Sequence, residues 1–462
     1  MQALSLKPML LAVNLLAIFY VGQANAMTLL EAYEAALAND TVFQSAIHEN
    51  EAGQQFKVLG KSNLLPNVSA NYSYNRNNTD ITTKGPITRR EDRDYNSENA
   101  AIQLRQPIFN MESWAKYNQG LAQTNLSDKQ FLSRKQELIE RFFGLFANAK
   151  FSEEALVLAE VQRDALKKQE EANALMATRG EGTKTALIES RAKLRLSEAE
   201  VIESKDALNN ANNALSLMIN KEFESTNRLG DEFSELKLDA ADYETWKTQA
   251  LEGNPDIATK REALQVASQE VKRNRAGHMP RLDAVASISQ SDSDSIPTFQ
   301  QELDTKSIGL QLNIPIYAGG SVSAATAQAE ANYKRAQDDL DTKTNEVLLD
   351  LRKNHNGMLT GALKIDALKQ SVEAADQLMT ATKKSLLGGV RTNLDVLNAR
   401  SQLFEAKRDL AEARYQYLVA YVRLKKAAGM LNVTDLQKIA SFFVNDPRAF
   451  FQEDNNYLSG LE

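Results

Sequence analysis

Ser307–Gly320, SIGLQLNIPIYAGG, is the stretch on which the fold turns. Ile308, Leu310, Leu312 and Ile314 alternate with Gly309, Gln311 and Asn313. A period of two places one set of side chains on each face of a sheet. Pro315 and the Gly319–Gly320 pair then end the strand, and no proline occurs from residue 316 to 446. A two-faced strand therefore runs straight into a long helix. Ala101–Gly120, AIQLRQPIFNMESWAKYNQG, makes the same transition, with its Gln106–Pro107 placed 208 positions before Ile314–Pro315.

Other segments repeat at nearly the same offset. Leu64–Val68 resembles His278–Leu282, 214 positions on, and Glu189–Leu194 resembles Asn398–Leu403, 209 positions on. Such self-similarity marks a tandem internal repeat. We assign residues 27–220 to the first repeat, 221–245 to a linking segment, 246–431 to the second repeat and 432–462 to a closing segment with a polar tail. Each repeat opens with a helical segment, Thr28 to about Lys61 and Tyr243 to about Ala276. A strand pair follows, over 66–108 and 280–315. Long helices are expected over Met111–Thr178 and Gly320–Leu387, then a glycine break (Arg179–Gly182; Gly388–Gly389) and a return helix. At 1.5 Å per residue the long helices reach about 100 Å, which demands a rod or tube. Leu187, Leu194, Val201, Leu208 and Leu215 recur every seven residues, as do Val396, Leu403, Leu410, Tyr417, Leu424 and Leu431. That spacing is a coiled-coil seam. An ordinary helical bundle core satisfies the same spacing.

The ends and the composition narrow the setting. Lys7, the apolar run Met9–Val21 and Ala24–Asn25–Ala26 form an export signal over residues 1–26. The run is too short for a spanning helix. The chain has 462 residues, a net charge of −7 and no cysteine. No basic face recommends a nucleic-acid partner. A secreted chain without disulfides suits a bacterial envelope better than a eukaryotic secretory pathway. Without cysteine the mature N-terminus also lacks a lipid-anchoring residue.

Val68–Asn75, Ala100–Arg105 and Leu282–Ser289 alternate like the opening stretch, Val285 being the exception. Each strand is about ten residues long, enough to cross an outer membrane at a tilt. The smallest membrane barrels have eight strands, and an open edge in lipid leaves backbone groups unpaired. Four strands per chain must therefore be completed by copies of the same chain, eight in a dimer or twelve in a trimer. Ser69, Asn71, Ser73, Gln103, Arg105, Gln311 and Asn313 are the expected pore-lining set, with the apolar set facing lipid. Pro66 and Pro280 enter the strands, and Pro107 and Pro315 leave them. Arg76–Ser97 and Gln290–Asp304 are expected to be polar outer loops. A soluble sandwich would share the alternation, but not the long helix that leaves the sheet in both halves.

Here the sequence resembles the TolC-like outer-membrane export proteins. The likeness rests on Gly277–Asp283, Leu312–Gly320, Gly389–Leu397, Glu412–Leu418 and Ala428–Asn432, and it spans nearly the whole mature chain. It implies an α+β membrane protein, a homotrimer with a twelve-strand β-barrel continued by a long antiparallel coiled-coil tunnel. It implies a belt built from the segments near 220–245 and 432–445. It also implies a periplasmic adaptor and an inner-membrane ABC transporter or proton-driven pump as partners. Arg179–Thr185 and Val271–Gly277 look most like members serving type I protein secretion. Multidrug efflux is the alternative, and a soluble periplasmic coiled-coil adaptor a third reading.

The same resemblance implies a periplasmic gate. It places Asp395 in an acidic ring, where like charges would raise the carboxyl pKa, and Arg391 and Thr185 among bonding residues. Three positions depart from the pattern: Asn398 and Ala186 stand where acidic residues are expected, and Leu386 where a tyrosine is. Locally, Thr392–Asp395 is also a capping box, so Asp395 suits a helix N-terminus on its own account. His48, His278 and His355 are isolated, and Gly180-x-Gly182 lacks the third glycine and the strand of a phosphate loop. No catalytic constellation, metal site or cofactor is expected, and transport energy must come from a partner.

Overall fold

The computed structural model describes residues 27–223, 227–230, 242–293 and 301–445. The export signal and the polar C-terminal tail lie outside the described residues. One antiparallel sheet holds four strands in the order β1–β2–β4–β5. They are β1 (Asn67–Thr83), β2 (Arg89–Asn110), β4 (Arg281–Ser293) and β5 (Gln301–Asn313). The intervening β3 (Asn227–Leu229) pairs instead with β6 (Phe443–Asn445), a two-strand patch far along the chain from the main sheet.

The strands exceed the expected ten residues, with 17, 22, 13 and 13. The first polar loop expected over Arg76–Ser97 is mostly ladder, continuing from Arg76↔Asn96 to Thr83↔Arg89. Asn77 Nδ2 donates to Ser97 Oγ at 3.0 Å and Asn78 Nδ2 to Asp94 Oδ1 at 2.7 Å. Polar side chains paired across a ladder support strand as well as apolar ones do, and composition alone does not separate a wet strand from a loop. The second loop is likewise strand to Ser293 and from Gln301, and its remainder lies outside the described residues. Pro107 does not end its strand. The register shifts between Pro107 and Phe109, and β2 continues to Asn110. A residue without an N–H is accommodated at such a bulge.

Two helices exceed all others, α3 (Met111–Arg179, 69 residues) and α7 (Ser321–Leu387, 67 residues). They are followed by α4 (Lys184–Ile219) and α8 (Asn393–Ala427). The opening helical segments are each broken in two, α1 (Leu29–Asn39) with α2 (Thr41–Ser62), and α5 (Tyr243–Gly253) with α6 (Pro255–Arg275). The breaks fall at Asp40 and Asn254, both buried N-caps. Asp40 accepts from Phe43 N at 2.9 Å and from Arg141 at 2.6 Å. Asn254 accepts from Ile257 N at 3.2 Å and donates to Ala427 O at 2.9 Å. A buried cap is held by tertiary partners, so the break is decided outside its own segment.

α3 is the hub. It packs on α2, α4, α6 and α8, while α7 packs on α6 and α8. The helices form a layer α2–α3–α6–α7 beside the sheet and α4–α3–α8–α7 farther away. Gly120 lets α2 lie against α3, since a Cβ there would meet Phe56 O at 2.4 Å. The main core sits midway along α3, where Leu138, Ile139, Phe142, Phe143 and Phe146 are almost fully buried. Phe146 meets Phe223 and Phe443 edge-on at 5.7 and 5.4 Å, so residues flanking β3 and within β6 dock on this point. The short helix α9 (Val433–Ala440) adds Leu436 and Ile439.

Candidate pore and gate

The ladder assigns faces. Residues paired across an antiparallel sheet point to the same side. Asn67↔Arg105, Ser69↔Gln103 and Asn71↔Ala101 link β1 to β2, and Gln103↔Ser287 and Pro107↔Asp283 link β2 to β4. Asp283↔Gln311 and Arg281↔Asn313 complete the set. Ser69, Asn71, Ser73, Gln103, Arg105, Gln311 and Asn313 thus share one face. Val68, Tyr72, Ile102, Leu104, Ile288, Ile308 and Leu312 share the other and are exposed, Ile308 at 89% and Tyr72 at 69%. Among the described residues β1 and β5 are paired on one side only.

Pro66 and Pro280 each stand one residue before a strand, and Pro315 lies two residues after β5. Near this end of the sheet Arg105 Nε donates to Asp283 Oδ2 at 2.9 Å. The Asp283 side chain is 4% exposed and that of Arg105 55%. The pair spans β2 and β4, the seam at which the two repeats meet. It supplies a polar tie beside Pro107, where the ladder lacks a donor.

The far ends of the helices carry the expected gate residues. The α3–α4 turn closes on Gly180 (φ 76°) and the α7–α8 turn on Gly389 (φ 72°), conformations that suit glycine. Thr183 and Thr392 are the following N-caps. Thr392 N donates to Asp395 Oδ2 at 2.8 Å, and Asp395 N donates back to Thr392 Oγ1 at 3.3 Å. The Thr392 backbone and side-chain donors, with Arg391 nearby, hold the Asp395 carboxyl below its usual pKa. In the single chain capping acts downward, and the upward shift expected of three converging carboxylates belongs to an assembly of copies. Arg391, just before the cap, stands 3.8 Å from Asp395 in the same hairpin. Thr185 and Asn398 are exposed, and neither side chain makes a hydrogen bond among the described residues. Asp395, Arg391, Thr185 and Asn398 therefore form no link between the two hairpins within one chain.

A different set makes that link. Gln169 Nε2, on α3, donates to Asn393 Oδ1 on α8 at 3.0 Å and approaches Asn173 Oδ1 at 3.2 Å. Within the first hairpin, Asn173 Nδ2 donates to the Ala186 carbonyl on α4 at 3.3 Å. Beside them Leu166, Leu194 and Leu397 form a closed apolar cluster from three helices. Arg400 Nη1 donates to Ala165 O at 3.0 Å, and burial lowers the Arg400 pKa. Nothing in the sequence marks Gln169 or Asn173, single amides within a 69-residue helix. Among the described residues no group of three His, Asp or Glu side chains is placed to hold a metal, and no helix is long and apolar enough to cross a membrane.

Comparison with known proteins fits this architecture. The family described as outer membrane efflux protein matches residues 32–221 and 246–430. The alkaline protease secretion protein AprF of Pseudomonas aeruginosa is 39% identical over 429 residues, covering 91% of this chain and 88% of that protein. The proteases secretion protein PrtF of Dickeya chrysanthemi is 35% identical over 435 residues, covering 92% and 93%. Among solved structures, the CmeC outer membrane channel of Campylobacter jejuni superposes with a TM-score of 0.77 at 18% identity, over 90% of this chain and 89% of that one. The chain belongs to the outer membrane efflux protein family, the TolC-like channels of the Gram-negative outer membrane, which are not enzymes.

Proposed function

We propose that three copies of this chain close a twelve-strand barrel and a periplasmic tunnel, and that the tunnel serves type I protein secretion. One observation carries the reading: a four-strand sheet with one polar and one apolar face ends in two unpaired edges. β1 and β5 run in opposite directions, so β5 of one copy beside β1 of the next continues the antiparallel ladder. Closure leaves no backbone group unpaired in lipid. The polar set, with its Arg105–Asp283 tie, then lines a wet pore, and the exposed apolar set meets hydrocarbon. A soluble adaptor has no use for an apolar face this exposed.

The helices support the same closure. α2, α4 and α7 are the edge helices, and they carry exposed apolar residues. On α4 these include Ile188 and Ile202, and on α7 Leu349 and Leu363, fourteen residues apart in both cases. Two heptads of spacing on each flank suit one more coiled-coil seam between copies. The convergent α7–α8 tips bring Asp395 of each copy toward the axis, where an acidic ring would draw cations.

AprF and PrtF, whose names state protease secretion, favour an unfolded protein as cargo, delivered by an inner-membrane ABC transporter through a periplasmic adaptor. Drug efflux beside a proton-driven pump is the second reading. Reconstituted in planar lipid, the purified chain should give discrete ionic currents and cross-link as a trimer. A chain that is monomeric without detergent and passes no current overturns the pore. Deleting the gene should retain a secreted protein inside the cell and leave dye resistance intact. The converse phenotype assigns efflux.

A further inference from the structure

We propose that each barrel seam between copies binds a phosphorylated lipid of the outer leaflet, held by Lys306 of one copy and Arg76 of the next. The inference rests on the twelve-strand closure proposed above. On the side remote from the helices, the apolar face of the sheet has a sharp edge. The last apolar outward residue and the first polar one, two positions on, are Tyr74 and Arg76 on β1 and Ala100 and Glu98 on β2. On β4 they are Ile288 and Gln290, and on β5 Ile308 and Lys306. The edge steps in a single direction. Tyr74 pairs with Glu98, Ala100 with Gln290 and Ile288 with Lys306, so it shifts by one outward position at every ladder. Tilted strands crossing a flat hydrocarbon surface give such a staircase. Arg76, Glu98, Gln290 and Lys306 thus stand at one level, that of the lipid head groups.

Two of these four side chains are cations, and both lie on edge strands. Arg76 and Lys306 are exposed, and neither makes an ion pair or a side-chain hydrogen bond among the described residues. The other two are placed differently. Gln290 Nε2 donates to Glu302 Oε1 at 2.8 Å, and Glu98 lies on β2, on the side of Arg76 away from the seam. With β5 of one copy beside β1 of the next, Lys306 and Arg76 stand on strands about 4.8 Å apart. Like charges so placed repel, and an anion between them removes the repulsion. Asp292 and Asp304 stand one outward position farther from the hydrocarbon, so an anion is admitted at the level of the cations and repelled beyond it. A phosphate carried on acyl chains arrives at that level by its own partition. Its chains meet the exposed Ile308 and Tyr74, and its oxygens meet the guanidinium and the ammonium.

The test titrates the full-length trimer in detergent with lipid A, a phosphorylated glycolipid, and counts bound lipid by native mass spectrometry. The wild type should hold one lipid at each seam. Arg76→Gln with Lys306→Gln should weaken binding about thirtyfold, at roughly a factor of five for each cation beside an anionic lipid surface. The exchanged pair, Arg76→Lys with Lys306→Arg, keeps both charges and should bind nearly as the wild type does. Both side chains are exposed and unbonded, so these variants leave the fold intact. Dephosphorylated lipid A should bind the wild type as weakly as lipid A binds the double glutamine variant. Inorganic phosphate at the same concentration should displace none of the lipid. Equal binding by wild type and double glutamine variant, binding indifferent to the lipid phosphates, or displacement by inorganic phosphate overturns the lipid clamp. A wild-type chain that stays monomeric overturns the closure, and the seam with it.

Discussion

α4 and α8 are one helix written twice and set in two different surroundings. At an offset of 209, Leu187 corresponds to Val396, Ile188 to Leu397, Leu194 to Leu403 and Leu215 to Leu424. The seven-residue seam is buried from Val396 to Leu424 on α8 and at Leu431 just beyond it. On α4 only Leu194 and Leu215 are, and Leu187, Val201 and Leu208 are half-covered. The sharpest contrast is Leu397 at 0% exposure and Ile188 at 65%. A duplication copies side chains but not neighbours. α8 lies between α3 and α7, whereas α4 lies at the flank. A repeat whose outer copy is bare within the chain fits the contact between copies proposed above.

The largest expected effect breaks that pair apart. Leu397→Ala should cost about 2–5 kcal/mol, the range for a fully buried leucine whose cavity cannot collapse. Ile188→Ala in the dissociated chain should stay within about 0.5 kcal/mol, as exposed positions do. Urea melts of the chain and dissociation of the assembly check both. If Ile188→Ala weakens the assembly while sparing the chain, the bare flank is a subunit contact. Equal effects at both positions in the dissociated chain refute the contrast.

The seam between the repeats gives the next effect. Arg105→Ala strands the buried Asp283 carboxylate, a loss of about 1–3 kcal/mol for an unsatisfied polar group. Asp283→Asn with Arg105 retained should cost less, because the amide keeps an acceptor. The turns should then behave alike in both halves. Gly180→Ala and Gly389→Ala each force a Cβ into the left-handed region, at about 1 kcal/mol apiece. A large difference between these two would show that one tip carries strain or contacts the other lacks.

Much of this was legible before any coordinates. Alternation in Val68–Asn75 and Ser307–Ile314 assigns faces because a period of two has only two outcomes. Proline-free spans of that length leave helix as the economical reading. What escaped depends on partners distant in sequence. The breaks at Asp40 and Asn254 are held by Arg141 and Ala427. The upper ladder from Arg76 to Thr83 has no apolar face to announce it. Near the tips Gln169 and Asn393, 224 residues apart, link the hairpins, while the charged tip residues Arg391 and Asp395 bond locally. Charge is conspicuous in a sequence, and a neutral amide in a long polar helix is not.

The smallest expected effect concerns charge at the two tips. Thr183 and Thr392 both cap a helix, but only the second has a carboxylate at the third position, with Ala186 standing where Asp395 would be. Ala186→Asp should therefore complete a second capping box and add about 0.3–1 kcal/mol, since an acidic group there also meets the helix dipole. Asp395→Asn should lower the melting temperature of the chain at neutral pH. The sign follows from linkage: Asp395 has a depressed folded pKa, so its contribution is complete above the unfolded value and fades as pH falls through the folded one. The variant and the wild type should thus melt together in strong acid. In the proposed trimer, three Asp395 groups near one axis would oppose that depression. If the pH at which the variant and wild type converge moves upward on assembly, the carboxylates face one another. If it does not move, Asp395 serves its own helix alone, and the two tips differ only in how well each is capped.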